Sequence, residues 1–256
     1  MPGDDLSLLI DAARAAGDIA LPHWRADPEV WDKGGGAGPV SEADIAVDTM
    51  LRETLTAARP GYGWLSEETE DTGQRLTREH VFIVDPIDGT RAFVGGERTW
   101  SHSLAIARNG AITAAVVFLP VTGKLYAAEA GQGATLNGAP IHASATTDPD
   151  TATILSAKAV VNPANWRAPM PGFTRHFRPS LAYRLCLAGE GRFDAMLALR
   201  PTWEWDIAAG TLIVTEAGGT VSDRTGRPLR FNNAHPQTNG CLAAGAVHGA
   251  LQARLA

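Results

Sequence analysis

The sequence predicts a mixed protein of the α+β type, in which helices and an antiparallel sheet precede an α/β part. Apolar residues recur at helical spacing in two early segments, and short apolar strands separated by turn dipeptides follow them. After residues 142–150, which are rich in Thr, Asp and Pro, strand and helix patterns alternate. These observations predict a division into residues 1–145 and residues 146–256.

Two amphipathic helices are predicted near the start of the chain. Apolar residues at helical spacing indicate a first helix over residues 4–25. Ser41 is a favourable N-cap and Asp44 an acidic first-turn residue, so a second helix is predicted from Ser41 to about Arg59. The Gly-rich residues 33–39 between the two helices are expected to form a loop.

The sheet of the first part is predicted from apolar runs separated by turn signals. Val81–Val84 is a continuous apolar run that stops at Asp85, which is typical of a buried strand. Asn-Gly at 109–110 and Thr-Gly at 122–123 indicate the turns of a meander. The predicted strands are Gly63–Ser66, Val81–Val84, Ser103–Arg108, Ile112–Leu119, Lys124–Glu129 and Ala134–Leu136.

The second part is predicted to alternate between strands and helices. Helices are expected over residues 180–189 and 206–217, and the latter ends at Gly-Gly, a natural helix stop. The predicted strands are Thr153–Ser156, Phe173–Arg175 and Leu242–Ala244.

Composition narrows the classes of function. The 256 residues carry a formal net charge of −6, which gives no support for a nucleic-acid polymer as partner. Acidic residues interrupt residues 1–20, which argues against a signal peptide, and no apolar run approaches a membrane-spanning length. Cys186 and Cys241 lie far apart in apolar surroundings, so buried free thiols and a cytoplasmic location are expected.

One segment, residues 85–90, combines two carboxylates with a turn and a helix start. A buried strand delivers Asp85, and the proline that follows fixes a turn in which Asp85 and Asp88 can converge. Ile87 can offer its carbonyl, and the helix that begins at Gly89 presents free amides to an anion. For this segment alone, an acidic surface turn is an equally weighted alternative.

Four further acidic residues and one lysine have ordinary explanations when each is considered alone. Glu67 and Glu68 follow a short strand, where a solvated pair is the simpler interpretation. Asp206 can be a plain N-cap, Asp44 a favourable first-turn charge, and Lys33 a surface lysine.

Taken together, the acidic residues form a set suited to divalent cations. Four of them are predicted to lie at the end of a strand or the start of a helix: Glu67, Asp85, Asp88 and Asp206. Carboxylates with a backbone carbonyl suit Mg²⁺, and no His/Cys cluster at zinc spacing is present in the sequence. Two ions roughly 3.5–4 Å apart can activate water and neutralise the leaving oxygen of a phosphate monoester. The sequence therefore predicts a Mg²⁺-dependent phosphomonoesterase.

These motifs resemble the inositol monophosphatase superfamily, the lithium-sensitive Mg²⁺ phosphatases, over nearly the whole chain. The segments that carry the resemblance are Lys33 with Asp44, Gly63–Glu68, Asp85–Thr90, Glu204–Gly210 and Thr215–Gly219. The resemblance implies a layered α-β-α-β-α sandwich. It also implies direct in-line hydrolysis by a metal-activated water, without a phosphoenzyme.

Roles for individual residues follow from the resemblance. The implied ligands of the first metal are Glu67, Asp85 and the Ile87 carbonyl, those of the second are Asp85, Asp88 and Asp206, and Glu67 lies near a weaker third. The implied catalytic residues are Asp44 and Thr90, which orient and deprotonate the water, together with Glu67. The amides of Gly89 and Thr90 are implied to bind phosphate, and Lys33 and Glu68 to support the ligands.

The substrate is predicted from one difference from inositol phosphatases and three similarities to another branch of the superfamily. Inositol phosphatases carry a Glu several residues before Trp-Asp, whereas residues 198–200 are Ala-Leu-Arg here. Three features instead resemble the CysQ-like 3′(2′),5′-bisphosphate nucleotidase branch: residues 201–206, Ser180-Leu181, and residues 229–232 followed by Asn-Gly at 239–240. Ser180, Arg184 and Glu204 are the expected substrate contacts.

Adenosine 3′,5′-bisphosphate is accordingly the preferred small phosphorylated metabolite. A second phosphate needs a basic partner, and the candidates are Arg178, Arg184 and Arg200, each with solvated surface as the alternative. Arg91 departs from the Lys usual in that branch, and Gly-Thr-Arg-Ala-Phe also occurs in histidinol-phosphate phosphatases.

Inositol 1-phosphate and histidinol or sugar phosphates therefore remain alternatives. A binding module without turnover is the non-enzyme alternative. Superfamily members are often dimers, so a homodimer is one expectation, although the sequence shows no distinct interface signature.

Overall fold

The computed structural model describes residues 4–34, 38–167 and 169–256. Within these ranges the helices are α1 (Asp5–Ala20), α2 (Glu42–Ala58), α3 (Thr90–Val94), α4 (Leu181–Gly189), α5 (Glu204–Glu216) and α6 (His248–Arg254). None of the helices in the described ranges is both long enough and apolar enough to cross a membrane.

The strands of the first part are β1 (Val30–Asp32), β2 (Pro39–Ser41), β3 (Gly63–Ser66), β4 (His80–Asp88), β5 (Ser101–Arg108), β6 (Ala111–Leu119), β7 (Lys124–Glu129), β8 (Ala134–Leu136) and β9 (Ala139–Pro140). Strands β3 to β9 form a seven-stranded sheet in chain order. All neighbours in it are antiparallel except the parallel pair β3–β4. The predicted meander is confirmed.

The strands of the second part are β10 (Thr153–Ser156), β11 (Thr174–His176), β12 (Ala195–Ala198), β13 (Thr202–Trp203), β14 (Thr220–Ser222), β15 (Gln237–Thr238) and β16 (Cys241–Ala244). Five of them form a mixed sheet in the order β11-β10-β12-β16-β14. Strands β13 and β15 pair separately, next to the start of α5.

Helices and sheets alternate in layers. Helices α1 and α2 pack on one face of the seven-stranded sheet, and α4 and α5 lie between its other face and the five-stranded sheet. Helix α6 covers the far side of the second sheet. In β4, Phe82 and Val84 face α1 and α2, whereas Val81 and Ile83 face the α4–α5 layer. Both faces are buried, which explains the continuous apolar run. The layered α-β-α-β-α architecture is confirmed.

Several boundaries differ from the sequence prediction. The first helix ends at Ala20 instead of residue 25, and β4 continues through Asp88 instead of stopping at Asp85. Helix α5 begins at Glu204 with Trp203 as its N-cap, so Asp206 lies inside the first turn and is not the cap. The division near residue 145 stays a prediction.

Candidate active site

A bulge in β4 sets the position of residues 85–88, the segment that carries predicted metal ligands. Strand β4 pairs with β5 up to Asp85↔Ser103 and again at Asp88↔Ser101, with a register shift between the two pairs. His102 on β5 lies opposite the shift, and its Nδ1 hydrogen-bonds the carbonyl of Pro86. Because a carbonyl can only accept, Nδ1 carries the proton. Burial lowers the pKa of His102 to about 4, so the ring is neutral at neutral pH.

Three carboxylates from distant parts of the chain converge beside this bulge. Glu67 follows β3, Asp85 lies in β4, and Asp206 lies in the first turn of α5. One oxygen from each lies within 4.8 Å of the others. Glu67 follows the end of a strand and Asp206 lies at the start of a helix, as the sequence predicts, whereas Asp85 lies inside β4; sheet pairing and helix packing bring the three together.

The electrostatics of this cluster fit a divalent cation. Burial, followed by the charges of Glu67, Asp88 and Asp206, raises the pKa of Asp85 well above its ordinary value. The Oδ1 atom of Asp85 is buried and has no hydrogen-bond partner among the described residues. A buried oxygen without a donor, surrounded by like charges, is unfavourable unless a cation binds it. An all-oxygen set of this kind suits Mg²⁺.

Asp88 is held by the N-terminus of α4. Its Oδ2 accepts hydrogen bonds from the Ser180 hydroxyl at 2.5 Å and the Ala182 amide at 2.6 Å, and its Oδ1 accepts one from the Leu181 amide at 3.1 Å. Burial raises the pKa of Asp88 to about 6, although these hydrogen bonds oppose the shift. Oδ2 accepts two hydrogen bonds and so uses both of its lone pairs, whereas Oδ1 accepts one and keeps a lone pair through which Asp88 can still bind a cation.

This arrangement changes the expected role of Ser180. Its hydroxyl is fully buried, donates to Asp88 and lies 3.0 Å from the Ser101 hydroxyl. It is also the N-cap of α4, where it accepts from the Tyr183 amide. Ser180 does not line the cavity described below, so the prediction that it contacts substrate is corrected.

Lys33 and Glu68 support Glu67. The ammonium of Lys33 donates to Glu67 at 2.8 Å and to Glu68 at 2.6 Å. Burial would lower the pKa of Lys33, but the two glutamates outweigh it and the pKa is raised. Burial raises the pKa of Glu68 to about 7.

Asp48 is a site residue that the sequence interpretation missed. Its oxygens accept hydrogen bonds from Ser66 at 2.5 Å and Thr69 at 2.6 Å, which fixes the backbone on both sides of Glu67. Asp44 and Asp48 are one helical turn apart on the buried face of α2. Two acids on the buried face of an amphipathic helix were the signal that could have identified it.

Thr90 and Asp44 form the predicted contact. The Thr90 hydroxyl lies 3.2 Å from Asp44 Oδ1 and 3.2 Å from the Ile87 carbonyl. The other oxygen of Asp44 accepts from the Ser41 amide and hydroxyl, which completes a capping box. Burial raises the pKa of Asp44 to about 6. Gly89 adopts a left-handed φ of 96°, which lets the chain leave β4 and enter α3 directly.

The carboxylates open into one cavity of about 1050 Å³. Among its lining residues are the acidic and backbone sites Glu67, Asp85, Ile87, Asp88, Gly89, Thr90 and Asp206, and the basic and aromatic residues Lys33, Arg91, Arg184, Arg200, Phe177, Trp203 and Trp205. Arg178 is absent from the lining; its carbonyl instead accepts a hydrogen bond from Arg184 Nε. Arg184 also lies 4.5 Å over the Phe177 ring.

Glu204 does not reach this cavity. Its carboxylate is fully buried and accepts from the Asn232 amide at 2.6 Å, the Asn233 amide at 2.9 Å and the Asn233 side chain at 2.6 Å. The same asparagines bind Arg75, a buried residue that the sequence interpretation did not single out. The predicted substrate contact by Glu204 is therefore corrected: Glu204 anchors the start of α5.

Known proteins are similar to this chain over most of its length. A family model described as the inositol monophosphatase family matches residues 4–256. An inositol-1-monophosphatase of Rhizobium meliloti is 37% identical over 207 residues, which cover 76% of each chain. A histidinol-phosphatase of Chlorobaculum parvum is 30% identical over 231 residues, 87% of each chain.

The fold is shared with solved members of the same family. The structure of an inositol monophosphatase from Thermotoga maritima superposes with a TM-score of 0.83 at 28% identity, covering 98% of this chain and 96% of the other. The whole-length match, the fold and the converging carboxylates lead to one conclusion: this chain belongs to the inositol monophosphatase family, and it is a phosphatase of that type.

Proposed function

We propose that this protein hydrolyses a small phosphomonoester with Mg²⁺, and that its preferred substrate is a 3′(2′),5′-bisphosphate nucleotide such as adenosine 3′,5′-bisphosphate. The observation that carries the hydrolase part is the convergence of Glu67, Asp85 and Asp206 around an Asp85 oxygen without a hydrogen-bond donor. A site built only to bind phosphate would use cations and amides, not a cluster of acids.

The acidic cluster supports a site for two or three Mg²⁺ ions. Glu67, Asp85 and the Ile87 carbonyl would hold one ion, and Asp85, Asp88 and Asp206 a second, with Asp85 shared between them. When bound, divalent cations neutralise the phosphate oxygens and make the attacking water more acidic.

The residues of the chain have separate tasks in the reaction. The Thr90 hydroxyl accepts a hydrogen bond from the attacking water and passes its own proton toward Asp44, which lies 3.2 Å away. A carboxylate with a pKa of about 6 can take up a proton near neutral pH. The amides of Gly89 and Thr90 hold the phosphate oxygens so that the water approaches opposite the leaving group.

The basic residues of the cavity support a second anionic group on the substrate. Arg184 and Arg200 line the same cavity as Asp88 and Asp206. Burial lowers the pKa of Arg184, and the charges of Asp88, Arg200 and Asp206 also act on it, so these groups share one electrostatic environment. Two arginines in the cavity lining are not needed for an uncharged polyol.

Inositol 1-phosphate and histidinol phosphate are the alternative substrates, because relatives that carry those names match this chain. The stretch that corresponds to the inositol-binding acid, residues 198–200, contains no acid, and its Leu199 is 8% exposed and lines the cavity. An apolar side chain cannot accept the hydrogen bond of a ring hydroxyl, so it disfavours inositol. A homodimer and a cytosolic location also remain proposals; the latter is supported by the free, buried Cys186 and Cys241.

A substrate panel tests the proposal. Purified protein would be given adenosine 3′,5′-bisphosphate, inositol 1-phosphate, fructose 1,6-bisphosphate and histidinol phosphate with Mg²⁺, and phosphate release would be measured. We expect the bisphosphate nucleotide to give the highest kcat/KM and Li⁺ to inhibit the reaction. We expect Arg200→Ala to raise KM for the bisphosphate nucleotide but not for the two monophosphates. Clear preference for inositol 1-phosphate would overturn the nucleotidase assignment, and no Mg²⁺-dependent release from any substrate would overturn the enzyme assignment.

A further inference from the structure

We infer that Trp203 and Trp205 form a preorganised platform that binds a planar ring of the leaving group, and that this platform selects ring-bearing phosphomonoesters over polyol phosphates. This tryptophan platform rests on the proposed function insofar as the ligand is a phosphomonoester bound in the acidic cavity. It adds a subsite to that cavity and names the chemistry that the subsite recognises, a flat heteroaromatic ring.

The geometry of the two indoles is the first observation. Their ring centroids are 4.7 Å apart and their planes differ by 8°, which is a stacked pair. Both side chains are half-buried and both line the cavity. His235 packs against Trp203 at 5.5 Å with an interplanar angle of 59°. Trp205 also packs against the apolar core, so the surface that the two rings leave for a ligand is the part of each that lines the cavity.

The backbone under the platform is fixed from several sides. Trp203 pairs with Gln237 in the β13–β15 ladder, and the carbonyl of Trp205 accepts a hydrogen bond of 3.0 Å from Ser103. Glu204, between the two tryptophans, is held by its amide to the Pro236 carbonyl and by its buried carboxylate to residues 232–233. A ligand ring therefore meets an ordered surface, and little rotamer freedom is lost on binding.

The tryptophan platform lines the same cavity as the acidic cluster, where the leaving group of a substrate would lie. Trp205 directly precedes Asp206, one of the converging carboxylates, and both residues line the same cavity. Arg200 lines the cavity just before Trp203 in the chain. A phosphate at the carboxylates thus leaves the remainder of the substrate beside aromatic surface with a cation nearby.

The chemistry distinguishes ring-bearing ligands from polyols. Purine and imidazole rings have π-faces that stack on indole, and loss of one stacking partner weakens binding by about 10- to 100-fold. Inositol and glycerol have no π-face and gain less from a flat aromatic wall. The platform is therefore expected to act through KM and to leave the phosphoryl-transfer step unchanged.

The decisive experiment compares Trp203→Ala and Trp203→Phe with wild type. Steady-state kinetics would use adenosine 3′,5′-bisphosphate, histidinol phosphate and glycerol 2-phosphate, which are purine-bearing, imidazole-bearing and ring-free. We expect Trp203→Ala to raise KM by about 10- to 100-fold for the ring-bearing substrates that wild type hydrolyses, with kcat retained. Glycerol 2-phosphate should be unaffected, and Trp203→Phe should restore most of the binding. Trp31→Ala, at a tryptophan that is 44% exposed and outside the cavity lining, is the matched control.

A binding measurement separates this inference from the proposed function. AMP, the product, would be titrated into the Mg²⁺-loaded protein while tryptophan fluorescence is recorded. Saturable quenching that persists in Trp31→Ala and disappears in Trp203→Ala supports the platform even if no substrate is turned over. An equal KM increase for glycerol 2-phosphate, an unchanged KM for every ring-bearing substrate, or the absence of AMP quenching in wild type would each overturn it.

Discussion

The hydroxyl of Ser180 donates a 2.5 Å hydrogen bond to Oδ2 of Asp88, which lies 92 positions earlier in the chain. Ser180 is also the N-cap of α4, so one hydroxyl serves both the helix and the acidic residue. The amides of Leu181 and Ala182 bind the same carboxylate. A helix N-terminus carries partial positive charge, which keeps a buried carboxylate in place beside other acids. The second half of the chain thus orients an acid supplied by the first half.

Replacing Ser180 with Ala should weaken both stability and Mg²⁺ binding. The cap loss costs ~0.5–2 kcal/mol of unfolding free energy. Removal of a residue that orients a ligand lowers metal affinity by about 10- to 100-fold. Denaturant unfolding and calorimetric Mg²⁺ titration measure the two effects. Asp4→Ala is the matched control, because Asp4 caps α1 by accepting from the Ser7 amide and should affect stability alone. Unchanged Mg²⁺ affinity in Ser180→Ala would contradict the orienting role.

Asp85→Asn should separate metal binding from folding. Without metal, the substitution removes a charge that neighbouring acids oppose, so we expect the melting temperature in EDTA to be equal to or higher than that of wild type. With Mg²⁺ in excess, wild type should gain about 2.7 kcal/mol at one hundred times Kd, and the variant should gain far less. Thermal melts with and without Mg²⁺ provide the comparison. Equal Mg²⁺ stabilisation of both proteins would remove Asp85 from the metal site.

Thr90→Val should reduce kcat with little change in KM. Valine keeps the shape of threonine but lacks the hydroxyl that lies 3.2 Å from Asp44, so the relay to the carboxylate is lost. Loss of general-base assistance costs about 10²- to 10⁴-fold in rate. Thr90→Ser retains the hydroxyl and is expected to keep most of the activity. If valine and serine behave alike in steady-state assays, the hydroxyl has no role in proton transfer.

The metal-free protein should lose stability as pH rises through about 6 to 7. Burial raises the pKa of Asp44 and Asp88 to about 6 and that of Glu68 to about 7. A raised carboxyl pKa means that the folded state binds protons more tightly than the unfolded chain. The stabilisation that these carboxyl groups contribute is therefore complete below their ordinary pKa values near 4. It is lost once the pH exceeds their pKa values in the folded state. Burial lowers the pKa of His102 to about 4, so the folded state disfavours the charged imidazole. This destabilises the protein only below pH ~6.5, the ordinary pKa of histidine, and there it opposes the effect of the carboxyl groups.

Melting temperatures in EDTA between about pH 4 and pH 7.5 would measure this effect, because the loss is complete above the folded pKa values of about 6 to 7. Saturating Mg²⁺ should reverse the trend, because the cation binds the deprotonated carboxylates and its affinity rises with pH. A metal-free stability that increases over this range would show that the buried acids are not the dominant groups.

Arg75→Met should destabilise the fold strongly. The guanidinium is 2% exposed and donates to Asp71 at 2.7 Å, Asn232 at 2.5 Å and the Asn233 carbonyl at 2.9 Å. Breaking a buried charged network costs ~3–5 kcal/mol. Arg108→Met is the matched control, because the Arg108–Glu79 pair is largely exposed and screened by solvent, so its loss is expected to cost much less. Urea denaturation compares the two, and equal costs would contradict the anchoring role of Arg75.

Sequence alone located the acidic segments of the candidate site because their signals are local. Each of these signals lies within a few residues of sequence. They are the N-cap at Ser41, the buried apolar run before Asp85 and the helix stop after α5. Strand β12 was missed for the opposite reason. It contains no β-branched residue and is a strand because it pairs between β10 and β16, with Met196 and Leu197 facing different cores.

Sequence by itself therefore identified a candidate set of acids, Glu67, Asp85, Asp88 and Asp206, and the segments that carry them, and tertiary structure decided which of them meet. Glu204 and Asp206 occupy the same helical turn, yet successive helical residues are rotated by about 100°, so positions two apart face nearly opposite sides. Asp206 reaches Glu67 and Asp85, whereas Glu204 is turned toward residues 232–233. The helical rotation separates the two carboxylates, and packing of α5 against the seven-stranded sheet, a contact between distant segments that no local pattern encodes, decides which of them faces the other acids.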